Sequence, residues 1–264
     1  MSSLMSALGA RADALADLEP AARADEPDAV HQMRVAARTL RANLRTFAPV
    51  LPDSGDLPGE LAWLGDALGP AREAEVLSET VMDLLARTPE DLVLGPVRSR
   101  VLEVFRLEHD AALTVVGEAL DSERYRDLVS ALKDYLDGTQ PSGKPDLSAL
   151  HRKVRRRMKA ALPLPHGPER DVAMHEARKA ARRARYAAEA LGHPSKPIKK
   201  LQDVLGEEHD RVVTASALTD LAAGAQLEGE NAFTYGVLIG LVRCDSKGFD
   251  KRVRRAWRKA RKVL

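Results

Sequence analysis

The protein has 264 residues, of which 44% are apolar and 30% are charged, a length and composition sufficient for a sizeable hydrophobic core. Its net charge is only +2, from 41 basic and 39 acidic residues, so the overall charge does not indicate a protein that binds polyanions. Any such function must depend on where the charges cluster. Ala, Leu, Arg and Glu are abundant, and the alternation of apolar and polar residues typical of strands is nearly absent, which predicts an all-α protein.

Cysteine usage and hydropathy restrict the compartment. Cys244 is the single cysteine, so the chain holds neither an internal disulfide nor a thiolate metal site, as is typical of a reducing cytoplasm. Residues 1–18 lack the apolar core of a secretory signal. No apolar run approaches the roughly 18 residues of a membrane span. We therefore expect a cytoplasmic protein that has no membrane partner.

Proline and glycine divide the chain into segments with the length of bundle helices, about a dozen in all. The predicted breaks, in chain order, are Pro49–Pro58, Thr88–Pro89, Asp137–Asp146, Pro163–Pro168 and His193–Pro197. The third break, with the sequence DGTQPSGKPD, is the strongest and separates two halves of similar length. We therefore predict a first helical repeat over 1–137, a linker over 138–146 and a second helical repeat over 147–264.

The two halves carry the same spaced pattern of basic residues. In the first half the pattern comprises His31, Arg34, Arg38, Arg41 and Arg45. In the second half the same spacing gives His175, Arg178, Arg182, Arg185 and Glu189. Only the last position changes sign, and the apolar positions between the basic residues also correspond.

A second matched block follows each pattern. Both copies read Asp-x-Leu-Gly, at Asp66–Gly69 and at Asp203–Gly206, and each has an acidic residue four positions after the glycine, Glu73 or Asp210. Two matched blocks in the same order indicate an internal duplication.

On an α-helix the five positions of each pattern fall within an arc of roughly 80°, and those of the first half extend over about 21 Å. The apolar positions lie on the other side of the same helix, so we expect one buried face and one narrow cationic face. Like charges at this spacing repel, and no acidic residue interrupts the first pattern. Because a guanidinium presents a planar fork of donors to phosphate oxygens, a long polyanion is the favoured ligand.

The alternative interpretation is a solvated helix face whose cations pair with the many carboxylates of the chain. The exact repetition of the spacing argues against this interpretation, since a solvated face does not require basic residues at the same helical positions in both halves. Further basic clusters at 151–159, 196–200 and 251–262 extend the candidate set, although a short basic terminus is often only solvated. The candidates that they add are Arg152, Arg155, Lys199, Arg254 and Arg258.

Four segments resemble the CHAD domain, the conserved histidine α-helical domain. They are Val30–Arg41 (VHQMRVAARTLR), Leu68–Leu77, His175–Glu189 (HEARKAARRARYAAE) and Leu201–Asp210 (LQDVLGEEHD). The resemblance implies two pseudo-symmetric four-helix bundles with a basic cleft or pore between them. It also implies binding of inorganic polyphosphate and association with polyphosphate granules. Some members of the family adjoin a triphosphate-tunnel metalloenzyme domain, which we do not expect within this sequence.

Carried over position by position, the resemblance gives the ligand-facing residues. From the first half they are His31, Arg34, Arg38, Arg41 and Arg45, and from the second half His175, Arg178, Lys179, Arg182 and Arg185. Glu73 stands where the family usually has Asp, and we expect it to keep the charge. Glu189 is expected to pair locally with an arginine.

We therefore expect a non-catalytic polyphosphate-binding protein without a cofactor. A nucleic-acid-binding helical protein is one alternative, but the scattered aromatic residues offer no evident platform for stacking bases. A phosphohydrolase acting on polyphosphate is another. The tripeptides Glu108–Asp110 and Glu208–Asp210 contain His-Asp pairs but lack further ligands at helical spacing, so we expect no metal site and assign Asp210 to orienting an arginine or capping a helix.

Overall fold

A computed structural model describes residues 2–244 and 248–264, and the regular elements in these ranges are all helices. They comprise twelve α-helices and a short 3-10 helix at Glu90–Leu92, with no β-strand in the described ranges, which confirms the all-α prediction. No helix among the described residues is long and apolar enough to span a bilayer. The α-helices are α1 (Ser2–Asp17), α2 (Glu19–Arg23), α3 (Ala29–Phe47), α4 (Leu57–Ala67), α5 (Gly69–Arg87), α6 (Val97–Asp121), α7 (Glu123–Gly138), α8 (Ser148–Ala161), α9 (Pro168–Ala190), α10 (Lys196–Leu227), α11 (Phe233–Cys244) and α12 (Phe249–Ala260).

Helix boundaries follow the predicted breaks. The interval between α3 and α4 covers most of Pro49–Pro58, and α5 ends just before Thr88–Pro89. Likewise α7 ends at Gly138 and α8 begins at Ser148, so the strongest predicted linker separates two helices. These helix bounds confirm the predicted breaks. Sequence alone was sufficient here because proline and glycine interrupt helices through backbone chemistry, which does not depend on tertiary contacts.

The chain packs as two compact units, and neither unit is continuous in sequence. Unit 1 comprises the described residues of Met1–Glu73, Glu108–Arg152 and Arg182–Ser195. Unit 2 comprises those of Ala74–Leu107, Lys153–Ala181 and Lys196–Leu264. Long helices such as α9 therefore contribute residues to both units. The compact unit is thus different from the sequence repeat, and the repeat boundaries at 137 and 147 stay a prediction about the duplication.

In unit 1, four helices form a closed set of contacts. Helix α1 packs on α3 and α7, and α4 packs on the same two helices. The buried side chains recur at helical spacing, as Leu4, Leu8 and Leu15 do on α1. On α3 the apolar positions predicted from the sequence are all buried, namely Met33, Leu40, Leu44 and Phe47. This packing fixes which face of α3 is turned away from the core.

The core of unit 2 draws on both halves of the sequence. Helices α5 and α6 supply residues such as Val81, Val101 and Phe105, while α10 and α11 supply residues such as Leu218 and Leu238. Helix α12 packs on α10 through its buried residues Phe249, Val253, Ala256 and Ala260. The opposite face of α12 consists of exposed basic residues, so this short helix has one apolar side and one strongly cationic side.

An ion pair between a buried arginine and a partly exposed aspartate joins the start of α9 to the start of α12. Arg170 is only 4% exposed, and its guanidinium donates a hydrogen bond to the carboxylate of Asp250. His166 lies 3.5 Å from the other carboxylate oxygen. Burial acts to raise the pKa of Asp250, but the hydrogen bond and positive charge of Arg170 outweigh it and lower that pKa. The ionised carboxylate therefore compensates a guanidinium that water does not reach.

We predict that Asp250→Asn lowers the free energy of unfolding by about 1–3 kcal/mol, because it leaves Arg170 buried without a counter-charge, while the partial exposure of Asp250 limits the loss. Urea denaturation at neutral pH measures this effect. Because the pKa of Asp250 is lowered, its contribution is present at neutral pH and lost as the pH falls through the folded-state pKa. Asp220→Asn, which neutralises an exposed carboxylate on α10, is the matched control; an equal loss in that variant contradicts the role of the ion pair.

Candidate functional site

Two rows of cations, one on α3 and one on α9, contain most of the candidate ligand-binding residues. The first ladder, as we call it, comprises His31, Arg34, Arg38, Arg41 and Arg45 on α3. The second ladder comprises His175, Arg178, Lys179, Arg182 and Arg185 on α9. Most of these side chains are half-buried rather than fully exposed; Arg45 and Lys179 are the exposed members. Neighbouring helices therefore cover much of each cationic face, which the periodicity of a single helix did not predict.

Arg34 of the first ladder lies against the Asp-x-Leu-Gly block. Its Nε donates a hydrogen bond of 3.2 Å to the backbone carbonyl of Gly65. Its guanidinium also approaches Gly69 so closely that a Cβ atom there would lie 3.3 Å from Nη2 of Arg34. A side chain at residue 69 would have to displace the guanidinium. The glycine at the junction of α4 and α5 thus makes room for an arginine of α3.

The second ladder repeats this arrangement. Arg178 on α9 lies against Gly206 on α10, where a Cβ atom would be 3.5 Å from Nε of Arg178. Arg34 and Arg178 occupy the same position of the repeated pattern, and so do Gly69 and Gly206. In each half, the arginine of one block thus lies against the glycine of the other block.

The two copies differ in their acidic residue. Asp210 lies 3.9 Å from Nη2 of Arg178, and the pKa of this carboxyl is raised by burial although the charge of Arg178 opposes the shift. The expectation that Asp210 orients an arginine agrees with this geometry. In the described part of the chain no ion pair joins Glu73 to Arg34. Glu73 instead adds to the effect of burial in raising the pKa of Glu108.

Within the second ladder, acidic residues of α9 contact two cations. Lys179 pairs with Glu176, and Arg185 lies 3.6 Å from Glu189 and over the ring of Tyr186. The prediction that Glu189 pairs locally with an arginine is confirmed. The sequence of α3, in contrast, contains no acidic residue.

Cations of α3 and α9 come together in unit 1. Arg183 on α9 donates a hydrogen bond of 2.9 Å from Nε to Oγ1 of Thr46 on α3. The pKa of Arg183 is lowered by burial and by the positive charge of Arg45 on α3. Arg183 is not a member of the ladder spacing, so sequence reasoning missed it. The basic doublet that it forms with Arg182 was the available signal.

The remaining predicted site residues do not form one group. All five of them are exposed. Arg152 donates a hydrogen bond to Ser148, and Lys199 pairs with Asp203 one helical turn away at 3.0 Å. Arg155 and Arg254 line one cleft of unit 2, whereas Arg258 lies on the exposed face of α12 outside the residues that line it.

The model of the CHAD domain family matches residues 6–219. This chain belongs to the CHAD domain family. Two uncharacterised proteins of Mycobacterium tuberculosis, from two strains, are 37% and 36% identical to it over 233 residues. That alignment covers 83% of this chain but 45% of each relative, so the chain spans less than half the length of the curated relatives that it matches.

Two solved structures share the fold of this CHAD chain. The structure titled PptA from Streptomyces chartreusis has a TM-score of 0.80 and 21% identity, over 97% of this chain and 98% of the other. The CHAD domain from the plant Ricinus communis has a TM-score of 0.66 and 22% identity, over 97% and 90% of the two chains. At this level of identity the likeness shows the fold.

In this CHAD chain, a pair of histidines lies at the start of the second ladder. The Nδ1 atoms of His175 and His209 are 3.2 Å apart, and the ring centroids are separated by 4.4 Å. One ring must donate and the other accept. Burial lowers the pKa of His175, and the positive charges of His209, Lys179 and Arg178 lower it further, against the weaker opposing effect of Glu176.

The two Glu-His-Asp tripeptides have different surroundings. In the first, His109 contacts the carbonyl of Ala71 through Nδ1 at 3.2 Å and the carboxylate of Asp25 through Nε2 at 3.0 Å. In the second, His209 contacts His175. Within residues 2–244 and 248–264, no three His, Cys, Asp or Glu side chains are arranged to hold a metal ion.

We predict unequal effects of alanine at the two equivalent glycines. Gly206→Ala should raise the free energy of unfolding by about 0.5–1 kcal/mol, because alanine is the better helix former and its Cβ meets Arg178 at an ordinary distance. Gly69→Ala should be less stable than Gly206→Ala by about 1 kcal/mol, because Arg34 must move. Urea denaturation of both variants is the measurement, and equal gains would contradict the close approach of Arg34 to Gly69.

We also predict that the histidine pair makes stability depend on pH. The folded-state pKa of His175 lies below its ordinary value, so the unfolded chain takes up the proton first and the free energy of unfolding decreases as the pH falls below about 6.5. Thermal melting of the wild type and His209→Asn between about pH 7.5 and 5.5 should show a weaker dependence in the variant. The His193→Asn variant, which changes an exposed histidine, should show the same pH dependence as the wild type. An equal reduction of the pH dependence in both variants would refute the assignment of this effect to His175 and His209.

Proposed function

We propose that this CHAD chain binds long-chain inorganic polyphosphate through the two ladders, without catalysing its breakdown. Family membership supports a role related to polyphosphate, and the ladders supply the cations for it. The observation that carries the proposal is the hydrogen bond from the half-buried Arg183 on α9 to Thr46 on α3, which brings Arg183 near Arg45, the residue before Thr46. A fold that brings like charges together, with no acidic residue on α3 between them, gains stability when an anion occupies the same place.

The form of the ladders favours a long, repetitive anion. Arginine recurs every three or four residues along α3, so successive phosphates of one chain meet successive guanidinium groups. A single small phosphate would contact only one or two arginines of a ladder.

Binding without catalysis also suits the chemistry of these residues. Guanidinium groups stay protonated at every physiological pH, so they neutralise phosphate charge without serving as bases. We further propose that the chain acts as a module that brings itself, and whatever it adjoins, to polyphosphate granules. The length of the curated relatives, of which the alignment covers less than half, supports a modular role.

We predict that Arg41→Glu combined with Arg45→Glu lowers the affinity for long-chain polyphosphate at least ten-fold, because two phosphate contacts are replaced by repulsion. The affinity of the wild-type protein should fall steeply between about 50 and 200 mM salt, and the variant should show a shallower salt dependence. Isothermal titration with polyphosphates of several lengths measures both effects.

The matched control combines Arg11→Glu with Arg126→Glu. It makes the same change of charge at exposed positions of α1 and α7, outside both ladders. Equal losses in the two double variants would mean that net charge, rather than the ladder, sets the affinity. Displacement of polyphosphate by duplex DNA at equal phosphate concentration would favour the nucleic-acid alternative, and divalent-metal-dependent release of phosphate would favour a phosphohydrolase.

A further inference from the structure

Unit 2 contains a second cationic site that includes an aromatic ring. A cleft of about 830 Å³ lies between α8 and α12. Helix α8 and the residue after it contribute Arg155, Lys159 and Leu162, and α12 and the residue after it contribute Arg254, Trp257 and Arg261. Pro163 and Lys262 complete the lining. All the charged residues that line the cleft are basic.

Helical spacing explains why these residues face one cleft. On α8 the lining residues are separated by four and then three positions, and on α12 by three and then four. Each set therefore lies on one face of its helix. Buried Val154 and Met158 of α8, and buried Val253 and Ala256 of α12, belong to the apolar faces of the two helices. Folding thus fixes both cationic faces on a packed scaffold.

Helix dipoles account for part of this charge but leave the rest unexplained. Cations in the last turn of a helix are stabilised by its dipole, and Lys159 and Arg261 lie at such ends. Arg155 and Arg254 lie well before the last turn of their helices, where the dipole has little effect. Like charges gathered around one cleft repel unless an anion compensates them.

The apolar part of the cleft defines the class of ligand. The ladders present cations to a chain of phosphates, whereas this cleft combines cations with half-buried Trp257 and with Leu162 and Pro163. Inorganic polyphosphate has no group that gains from an indole ring. A nucleotide has both required parts, since its base stacks on an aromatic ring and its phosphates bind cations. The cleft is also within the size range of small-molecule sites.

We propose that the cleft between α8 and α12 binds a nucleoside polyphosphate, with the base against Trp257 and the phosphates among Arg155, Arg254 and Arg261. This site is separate from the ladders in the residues that it uses. It does not depend on polyphosphate binding by α3 and α9, so either proposal can fail alone. It also gives a role to Arg155 and Arg254, which the ladders do not include.

The two tryptophans of the chain permit a direct test. Trp63 lies in unit 1 beneath the guanidinium of Arg124, so Trp63→Phe retains an aromatic ring there and leaves Trp257 as the sole tryptophan. Titration of this variant with adenosine triphosphate should quench the emission of Trp257 saturably. Inorganic triphosphate carries the phosphates without the base, and we expect its affinity by calorimetry to be on the order of ten-fold weaker.

Two further variants in the same background separate the contributions. Arg254→Glu combined with Arg261→Glu should lower the affinity for adenosine triphosphate at least ten-fold, whereas Arg11→Glu combined with Arg126→Glu should retain it. The Trp257→Leu variant, once its helicity has been verified, should bind adenosine triphosphate only as tightly as it binds inorganic triphosphate. Calorimetry measures both affinities. If that variant does not fold, the variant that combines Arg254→Glu with Arg261→Glu tests the proposal, because both arginines are exposed.

Equal affinity for adenosine triphosphate and triphosphate would overturn the proposal, because the base would then contribute nothing. Unchanged binding in the Arg254→Glu and Arg261→Glu variant would overturn it as well. The ladder variant Arg41→Glu with Arg45→Glu should bind adenosine triphosphate normally. Loss of adenosine triphosphate binding in that variant would place the nucleotide on the ladder and likewise refute a separate site.

Discussion

The contact of an arginine with a glycine backbone is the constraint on which the candidate site depends. Arg34 rests against Gly65 and Gly69, and Arg178 rests against Gly206. Each contact places one arginine of a ladder against another helix, while the buried apolar face sets the rotation of the helix about its axis. The positions of the remaining ladder residues on the helix surface follow from the helical repeat. The arginine loses hydration in this position, and for Arg34 the carbonyl of Gly65 offsets part of that cost.

Local chemistry made most of the secondary structure predictable from the sequence. Proline and glycine gave the breaks, and the buried face of α3, including Met33 and Leu40, followed from its apolar spacing. Tertiary contacts were not predictable in this way, since the period of a helix shows which face is buried but not which helix covers it. The contact of Arg178 with Gly206, the placement of Arg183 beside Arg45 and the histidine pair all required the fold.

A nearly neutral chain presents concentrated positive charge because its acidic residues are distributed unevenly. Carboxylates such as Glu60, Asp121 and Glu228 pair with arginines outside the ladders. Exposed pairs of this kind contribute little to stability individually. Their effect on the distribution of charge is larger, because each pairs an acidic residue with an arginine that does not belong to a ladder. The net charge of +2 therefore does not reveal the clustering of cations on α3 and α9.

The two ladders differ in the number of acidic residues beside them. The second ladder has Glu176 against Lys179, Glu189 beside Arg185 and Asp210 near Arg178, and its leading histidine is held at a lowered pKa. The sequence of α3 has no acidic residue to reduce its charge. An anion bound as proposed would compete with those carboxylates on α9, and protonation of the histidine pair would favour the anion. The charge of the second ladder therefore responds to pH, because protonation of His175 adds a positive charge to it.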